Sequence, residues 1–413
     1  MSPTDLPVVP LDIRLPRYVL LTDAPPLRTG GHGCHVLAWN WLQAMRDQVV
    51  LVVTHRLNPT LSLRAIAAGL GVPSAFFPDL CSLRCPRSLR TPKLMLELML
   101  FRAALPQVAR RIRASRAERV FALFGGAPWF LSIAGAVAGA TGLPLDVYLV
   151  DDLEESARQA GQPVLARWTR TRERRLLRSA DRVFAISPGY TEHLLAKYGK
   201  RAEWLPLPFP TDKVSPHPYR PRDRGVREIA FLGAVNHLYL APLRDLLRAI
   251  PVWNRDNGED PLRLVVMTYS SPRLVERELG RSEDLEIIHR ASDSECRKRL
   301  ARSWVIFLPY SFEPEHRMMV STSFPSRLAE SLPAGRPLLV YGPAYASLPR
   351  YFLENDLPLC VTDPRQLPAA LRAIESYDDD ALIQRYQAVL DRHHSPAVLR
   401  NRLRPAPTGD SSG

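Results

Sequence analysis

The sequence predicts an α/β chain built as two doubly wound, Rossmann-like domains that face each other across a cleft. Three observations carry that expectation. Short runs of uninterrupted apolar residues, such as VVLVVTH and WVIFLPYS, have the pattern of parallel strands buried on both faces. Helical stretches alternate with these runs in both halves of the chain. A proline-rich break separates the two series.

In chain order, residues 1–16 form a flexible, proline-rich leader without the apolar centre of a signal peptide. RYVLLTDAPP is a buried strand stopped by a double proline. The glycine-rich loop RTGGHGCH and a helix from about Val36 to Met45 follow it. VVLVVTH, RVFALF, DVYLVDD and RVFAIS are the next strands, with PWFLSIAGAVAGATG and an arginine-rich stretch as helices among them. Repeated β-α-β units with right-handed crossovers give a first domain over residues 17–205. Residues 206–225, with six prolines in PLPFPTDKVSPHPYRPRDRG, read as a linker. The alternation restarts with EIAFLGAV, LRLVVMTYS, LEIIHRA, WVIFLPYS, PLLVYGP and a short PLCVT, giving a second domain over residues 226–392. Residues 393–413 are expected to be a tail whose end, PAPTGDSSG, is disordered.

Composition narrows the class. A chain of 413 residues exceeds what one core supports, and 46% hydrophobic with 23% charged residues is a globular balance. Lysine and arginine outnumber the acids 55 to 42, a net charge of +13 that favours anionic partners. The five cysteines, Cys34, Cys81, Cys85, Cys296 and Cys360, are too scattered for a disulfide framework or a zinc site, and they fit a reducing, cytoplasmic setting. The longest apolar run, WFLSIAGAVAGATGLPLDVYLV, is broken by Gly142 and Pro144, so it reads as helix, turn and strand rather than a membrane span. The basic stretches lack interleaved aromatics, which argues against nucleic acid.

The chemistry concentrates in SFPSRLAESLPAGRPLLVYGP, residues 323–343. Its first part leaves the carboxyl end of a strand, so it faces the cleft, and SRLAESL starts a helix there. Free amides at a helix start, the hydroxyls of Ser323 and Ser326 and the donor fork of Arg327 suit phosphate oxygens. Glu330, one turn inside, can accept hydrogen bonds from a ribose diol. The same residues also read as a serine N-cap and a solvated glutamate.

This stretch resembles the donor-site signature of retaining nucleotide-sugar glycosyltransferases of family 4 with the GT-B fold, which commonly run S-x-P-S-K-x-x-E-x-x-A-x-G-x-P-V-L. The resemblance extends over roughly Tyr18 to Ile374. SADRVFAISPGYTEHLLAKYG is similar to the segment closing that family's first domain, REIAFLGAV to the strand and glycine opening its second, and GGHGCH to its acceptor-side loop. The resemblance implies a sugar transferred from a nucleotide-diphosphate donor to a glycan or lipid-linked acceptor, in cell-surface polysaccharide or glycoconjugate synthesis. The donor acts as co-substrate, with no metal or other cofactor. Glu330 then matches the ribose glutamate, and Ser323, Phe324 and Ser326 fall at the diphosphate. Arg327, a catalytic candidate in place of the common lysine, would stabilise leaving-group charge. Gly233 would let the backbone approach the phosphates, while Thr268, Tyr269 and Ser270 fall where the base is received. Gly30 and Gly31 belong to the acceptor-side loop.

Catalytic or acceptor-side candidates are His32, His35, Asp151 and Asp152, with helix capping as the other reading of the two aspartates. Arg167, Arg170, Arg174 and Arg178 share one helical face. That face is either simply solvated or a contact for an anionic membrane on its inner side. Thr322 stands where relatives often have a glutamate, with Glu313 and Glu315 out of register. The basic pair usual after the domain-opening glycine is also missing: Asn236 and His237 come first, and Arg244 later. The departure at Thr322 keeps open a catalytically impaired module that binds nucleotide or glycan. An epimerase or phosphorylase of the same fold is the other alternative.

Overall fold

The computed structural model describes residues 15–27, 33–55, 63–77, 90–209, 213–214, 227–377 and 379–404. Its first sheet has the order β3-β2-β1-β4-β5-β6-β7, all parallel. These strands are β1 (Tyr18–Thr22), β2 (Val49–His55), β3 (Ser74–Phe77), β4 (Arg119–Phe124), β5 (Leu145–Leu149), β6 (Arg182–Ala185) and β7 (Glu203–Trp204). Helices α1 (Gly33–Ala44) and α2 (Leu63–Leu70) make the connections running from β1 towards β3. Helices α3 (Arg90–Ala114), α4 (Phe130–Thr141), α5 (Leu153–Gln159), α6 (Pro163–Ser179) and α7 (Pro188–Tyr198) make those from β3 through β4 to β7. Right-handed crossovers place the two groups on opposite faces, which is why β1 and β5 are buried end to end and β4 everywhere but at its first residue.

The second sheet, also parallel, has the order β10-β9-β8-β11-β12-β13. Its strands are β8 (Arg227–Leu232), β9 (Leu262–Thr268), β10 (Leu285–His289), β11 (Val305–Pro309), β12 (Leu338–Tyr341) and β13 (Cys360–Val361). They are connected by α8 (His237–Asp256), α9 (Pro272–Leu279), α10 (Asp293–Arg302), α11 (Arg317–Thr322), α12 (Leu328–Ser331) and α13 (Ser347–Glu354). The two Rossmann-like sheets are those the sequence predicts. In each, strand order reverses beside a central strand, between β1 and β4 and between β8 and β11. Ligands seat outside the carboxyl ends at such points. Among the described residues no helix is long and apolar enough to cross a membrane.

Two expectations change. The helix expected over SRLAESL is a short turn of α-helix, Leu328–Ser331, continued by a 3-10 turn over Leu332–Ala334 and ended by Gly335 at φ 65°. Pro333 inside this stretch has no amide to continue the α-helix. The segment from residue 393 is not merely a tail. After α14 (Leu367–Ala373) and α15 (Asp379–Val389), a π-turn over Leu390–His394 leads into α16 (Pro396–Arg402), which crosses back onto the first domain. There Tyr18 Oη donates to the Leu403 carbonyl at 3.0 Å and Arg182 Nη1 donates to the same carbonyl at 2.9 Å.

His394 locks this crossover. It is fully buried, its Nδ1–H donates to the Leu207 carbonyl at 2.8 Å, and its Nε2 accepts from Tyr351 Oη at 2.6 Å. Phe209 stacks on the ring at 4.1 Å. Burial pushes the imidazole down to about 3. The folded state therefore keeps His394 neutral where the unfolded chain, below pH ~6.5, binds a proton. Stability should fall by about 1.4 kcal/mol per pH unit on this account as pH drops from ~6 towards ~4. His394→Gln is expected to be less stable at neutral pH but to lose about one proton of that slope, measured by urea unfolding at several pH values. Equal slopes in the two proteins would refute the assignment.

Candidate active site

The carboxyl ends of β8 and β11 are held together by one side chain. Arg327 is 7% exposed, and its Nη1 and Nη2 donate to the carbonyls of Leu232 and Pro309, the last residues of the two strands, at 3.4 and 3.2 Å. Its guanidinium lies over the rings of Tyr239 and Phe231, 4.2 and 4.9 Å from their centroids. Among the described residues no carboxylate pairs with it, and its Nε–H has no acceptor. Carbonyl and ring dipoles offset a buried cation only in part, so the group favours an incoming anion.

Gly233 makes this placement sterically allowed. It follows β8 at φ 150°, and its amide donates to the Met267 carbonyl at 3.0 Å. A Cβ here would stand 2.8 Å from Arg327 Nη1. The loop beyond is fixed by Ser270, whose Oγ accepts from the Val235 amide at 3.0 Å, and by Asn236, which caps α8 through the Leu238 amide.

Around Arg327 opens a cleft of about 840 Å³ between the domains. Gly33, Val36, Asn40 and Gln43, at helical spacing on α1, form its first-domain wall; Asp293, Cys296, Arg297 and Leu300 of α10 face them from the second. Where the domains meet, a Cβ on Gly33 would lie 3.1 Å from Ser326 Oγ. Glu330 lines the cleft half-buried. Burial, reinforced by Asp293 and eased by Arg297, pushes its carboxyl up to about 7.

Of the residues singled out in the sequence, Gly233, Thr268, Tyr269, Ser326, Arg327 and Glu330 share this cleft. Tyr269 is 45% exposed there, whereas Thr268 uses its Oγ1 to accept from the Ser270 amide at 3.0 Å. Ser270 serves the loop rather than the cleft. Ser323 and Phe324 also turn away: Ser323 Oγ meets Tyr310 Oη at 3.2 Å, and Phe324 packs on Tyr351 with centroids 5.2 Å apart. Neither residue lines the cleft, which this run reaches at Pro325 and Ser326.

Thr322 does not face the cleft. Its Oγ1 donates to the Met318 carbonyl at 3.0 Å, and its own carbonyl accepts from Ser187 Oγ of the first domain at 2.5 Å. It belongs to an interdomain contact that also holds the Glu192–Arg350 pair at 3.0 Å. The sequence gives no pattern for the aromatics under the arginine beyond the fact that Phe231 and Tyr239 flank Gly233.

On the first-domain side, Gly30, Gly31 and His32 lie outside the described residues. His35 is buried, with Nδ1 donating to the Pro25 carbonyl at 2.8 Å, so it shapes the loop after β1 instead of facing a substrate. Asp152 is also structural. It caps α5 by accepting from the Glu155 amide at 2.8 Å, and takes bonds from His193 and Lys197, each at 2.7 Å. Burial alone would raise its carboxyl, but these partners hold it well below the usual range. Asp151, at the end of β5, differs: its carboxyl takes no bond from a described residue, and burial, then the Asp152 charge, push it up to about 6. It stands near Cys34 at the start of α1, whose thiol burial and then Asp23 push up to about 12, with Asp151 adding to the rise.

Residues 38–210 match the family described as glycosyl transferase 4-like domain. Among solved structures, sucrose-phosphate synthase from Thermosynechococcus elongatus superposes with a TM-score of 0.64 at 12% identity, over 94% of this chain and 97% of that one. The α,α-trehalose 6-phosphate synthase of Burkholderia multivorans gives 0.59 at 11% identity over 94% and 97%. The Anabaena protein HepE, in complex with UDP, gives 0.58 at 12% over 94% and 98%. At such identities these likenesses show the fold alone. No curated protein sequence matches the chain significantly.

Proposed function

We propose that this chain, a GT-B glycosyltransferase carrying a glycosyl transferase 4-like domain, moves a sugar from a nucleoside-diphosphate donor to a glycan or lipid-linked acceptor. The observation that carries the reading is Arg327, a buried cation at the ends of β8 and β11 in the interdomain cleft, with no carboxylate partner among the described residues. The diphosphate seats against Arg327, Gly233 and Ser326, the ribose against Glu330, and the base beside Tyr269. As the sugar–phosphate bond breaks, negative charge gathers on the diphosphate, where fixed donors stabilise the transition state more than the ground state. The acceptor comes from the α1 side and its hydroxyl oxygen attacks the anomeric carbon. Asp151, which stands near Cys34 at the start of α1 but outside the residues lining the cleft, is the proton acceptor we assign to that side.

Retention of configuration follows from the resemblance to retaining transferases. The inner face of the cell membrane, contacted through Arg167, Arg170, Arg174 and Arg178, is the setting that suits a lipid-linked acceptor; all four are exposed on α6. The test is hydrolysis of a panel of nucleotide sugars, alongside thermal shift with UDP, GDP and ADP. One nucleotide should stabilise the protein clearly and one donor should be hydrolysed slowly. Failure of all three nucleotides to bind would overturn the reading. A nucleotide bound without turnover would identify an impaired module, and a changed sugar still joined to its diphosphate an epimerase.

Glu330 adds a pH signature. A carboxylate accepts from both ribose hydroxyls and more strongly than its acid form, so nucleotide affinity should rise as pH climbs through ~7. Glu330→Gln should bind roughly tenfold more weakly at pH ~8, the loss of a charge-assisted hydrogen bond, with a flatter pH profile. Calorimetric titrations giving parallel profiles for the two proteins would remove Glu330 from the ribose.

A further inference from the structure

Met95, Leu96 and Met99 are 46%, 46% and 67% exposed, a cluster of large apolar side chains on a single helix, α3. Such an exposed cluster is unusual for a lone soluble chain and marks a docking surface. Its position follows from geometry. The 25 residues of α3 span about 37 Å at 1.5 Å each, while the six residues of β4 it leads into span about 20 Å. The far end of α3 is anchored at the amino edge of the sheet, where Arg113 Nη1 donates to the Ala140 carbonyl at 2.8 Å beside the end of α4. Its first turns therefore project past the carboxyl edge, towards the cleft side, carrying the apolar cluster with them.

Charge specifies the occupant. Further along α3, Arg102, Arg110, Arg111 and Arg113 are exposed. In the same helical layer, with α4 between, α6 exposes its four arginines behind Val164, which is 75% exposed at its start. The acids on these two helices are Glu97, paired with Lys93 at 3.8 Å, and Glu173, which is buried. Both helices thus lead with apolar side chains near the cleft and follow with cations along the flank. That combination fits a bilayer bearing anionic lipid: apolar residues enter the headgroup boundary while arginines meet phosphates.

We propose that this face of the first domain docks on an anionic membrane, with Met95, Leu96 and Met99 as the inserting element. The proposal deepens the acceptor half of the functional reading and rests on it for the reason that the cleft mouth should lie at a membrane. The experiment is co-sedimentation of the full chain with vesicles of phosphatidylcholine, with and without phosphatidylglycerol, at low and high salt. The parent should bind the mixed vesicles and lose binding as salt rises. Met95→Asp combined with Met99→Asp should reduce binding about tenfold or more, through lost insertion and added repulsion. Replacing Arg167, Arg170, Arg174 and Arg178 by alanine should remove most of the salt dependence. The Met variant's melting temperature and vesicle-free donor hydrolysis should match the parent's. That comparison separates failure of the membrane face from failure of the donor site. Parent protein that ignores mixed vesicles, or a Met variant that binds as well as the parent, overturns the proposal. So does a concentration-dependent dimer abolished by the Met variant, which would assign the cluster to a second copy of this chain.

Discussion

Arg327→Ala is expected to lower turnover by 10²–10³-fold while nucleotide affinity changes by about tenfold or less. The guanidinium is fixed before any ligand arrives: two strand-end carbonyls hold its Nη atoms, and the rings of Tyr239 and Phe231 set its plane. A donor fixed in advance needs no reorganisation when charge develops, so its advantage falls mainly on the transition state. Arg327→Lys should recover only part of the loss, because one ammonium cannot reach both carbonyls in a planar fork. Steady-state kinetics with the hydrolysed donor give kcat and KM separately. An alanine variant with the parent's kcat would show that Arg327 is a strut between β8 and β11 and nothing more.

That strut was half legible in the sequence. VVLVVTH and RVFALF announce parallel strands because both faces of each are covered, and the order of strands then places every loop at their carboxyl ends in the cleft. Arg327 and Glu330 are legible because a single turn separates them. Their surroundings are not, since Phe231 and Tyr239 come from elements remote in sequence and only the crossover from β8 to β11 brings them beneath the guanidinium. Ser323 and Phe324 mislead for a local reason: motif continuity suggests one phosphate-facing run, but hydrogen bonding to Tyr310 and packing on Tyr351 direct them inward. Thr322 bears on the cleft in the motif reading, yet its side chain bonds back to the Met318 carbonyl and its own carbonyl accepts from Ser187 across the domains, so it does not touch the cleft. Asp152 is distinguishable from Asp151 only once His193 and Lys197 are in place. The Met95 cluster was hidden by the ordinary rule that large apolar residues turn inward.

Gly233→Ala should cost about 1–3 kcal/mol of stability and a loss of turnover approaching that of Arg327→Ala. Two separate strains arise. At φ 150° a side chain forces the backbone into a conformation that only glycine adopts readily, and the new Cβ would sit 2.8 Å from Arg327 Nη1. The flexible arginine gives way first, leaving the Leu232 carbonyl and its place over Tyr239. Gly126 provides a control for the backbone term alone. It has φ 142°, but a Cβ there meets no atom of a described residue within 4 Å. Gly126→Ala should therefore lose comparable stability without the donor-side signature of Gly233→Ala: reduced kcat with nearly unchanged nucleotide affinity. The decisive comparison is the double variant of Gly233→Ala with Arg327→Ala. If Gly233 acts by seating the guanidinium, its substitution has little left to disturb once that group is gone, and the two losses in turnover should fall well short of additive. Additive losses would mean that Gly233 serves the donor through its own backbone, independently of Arg327.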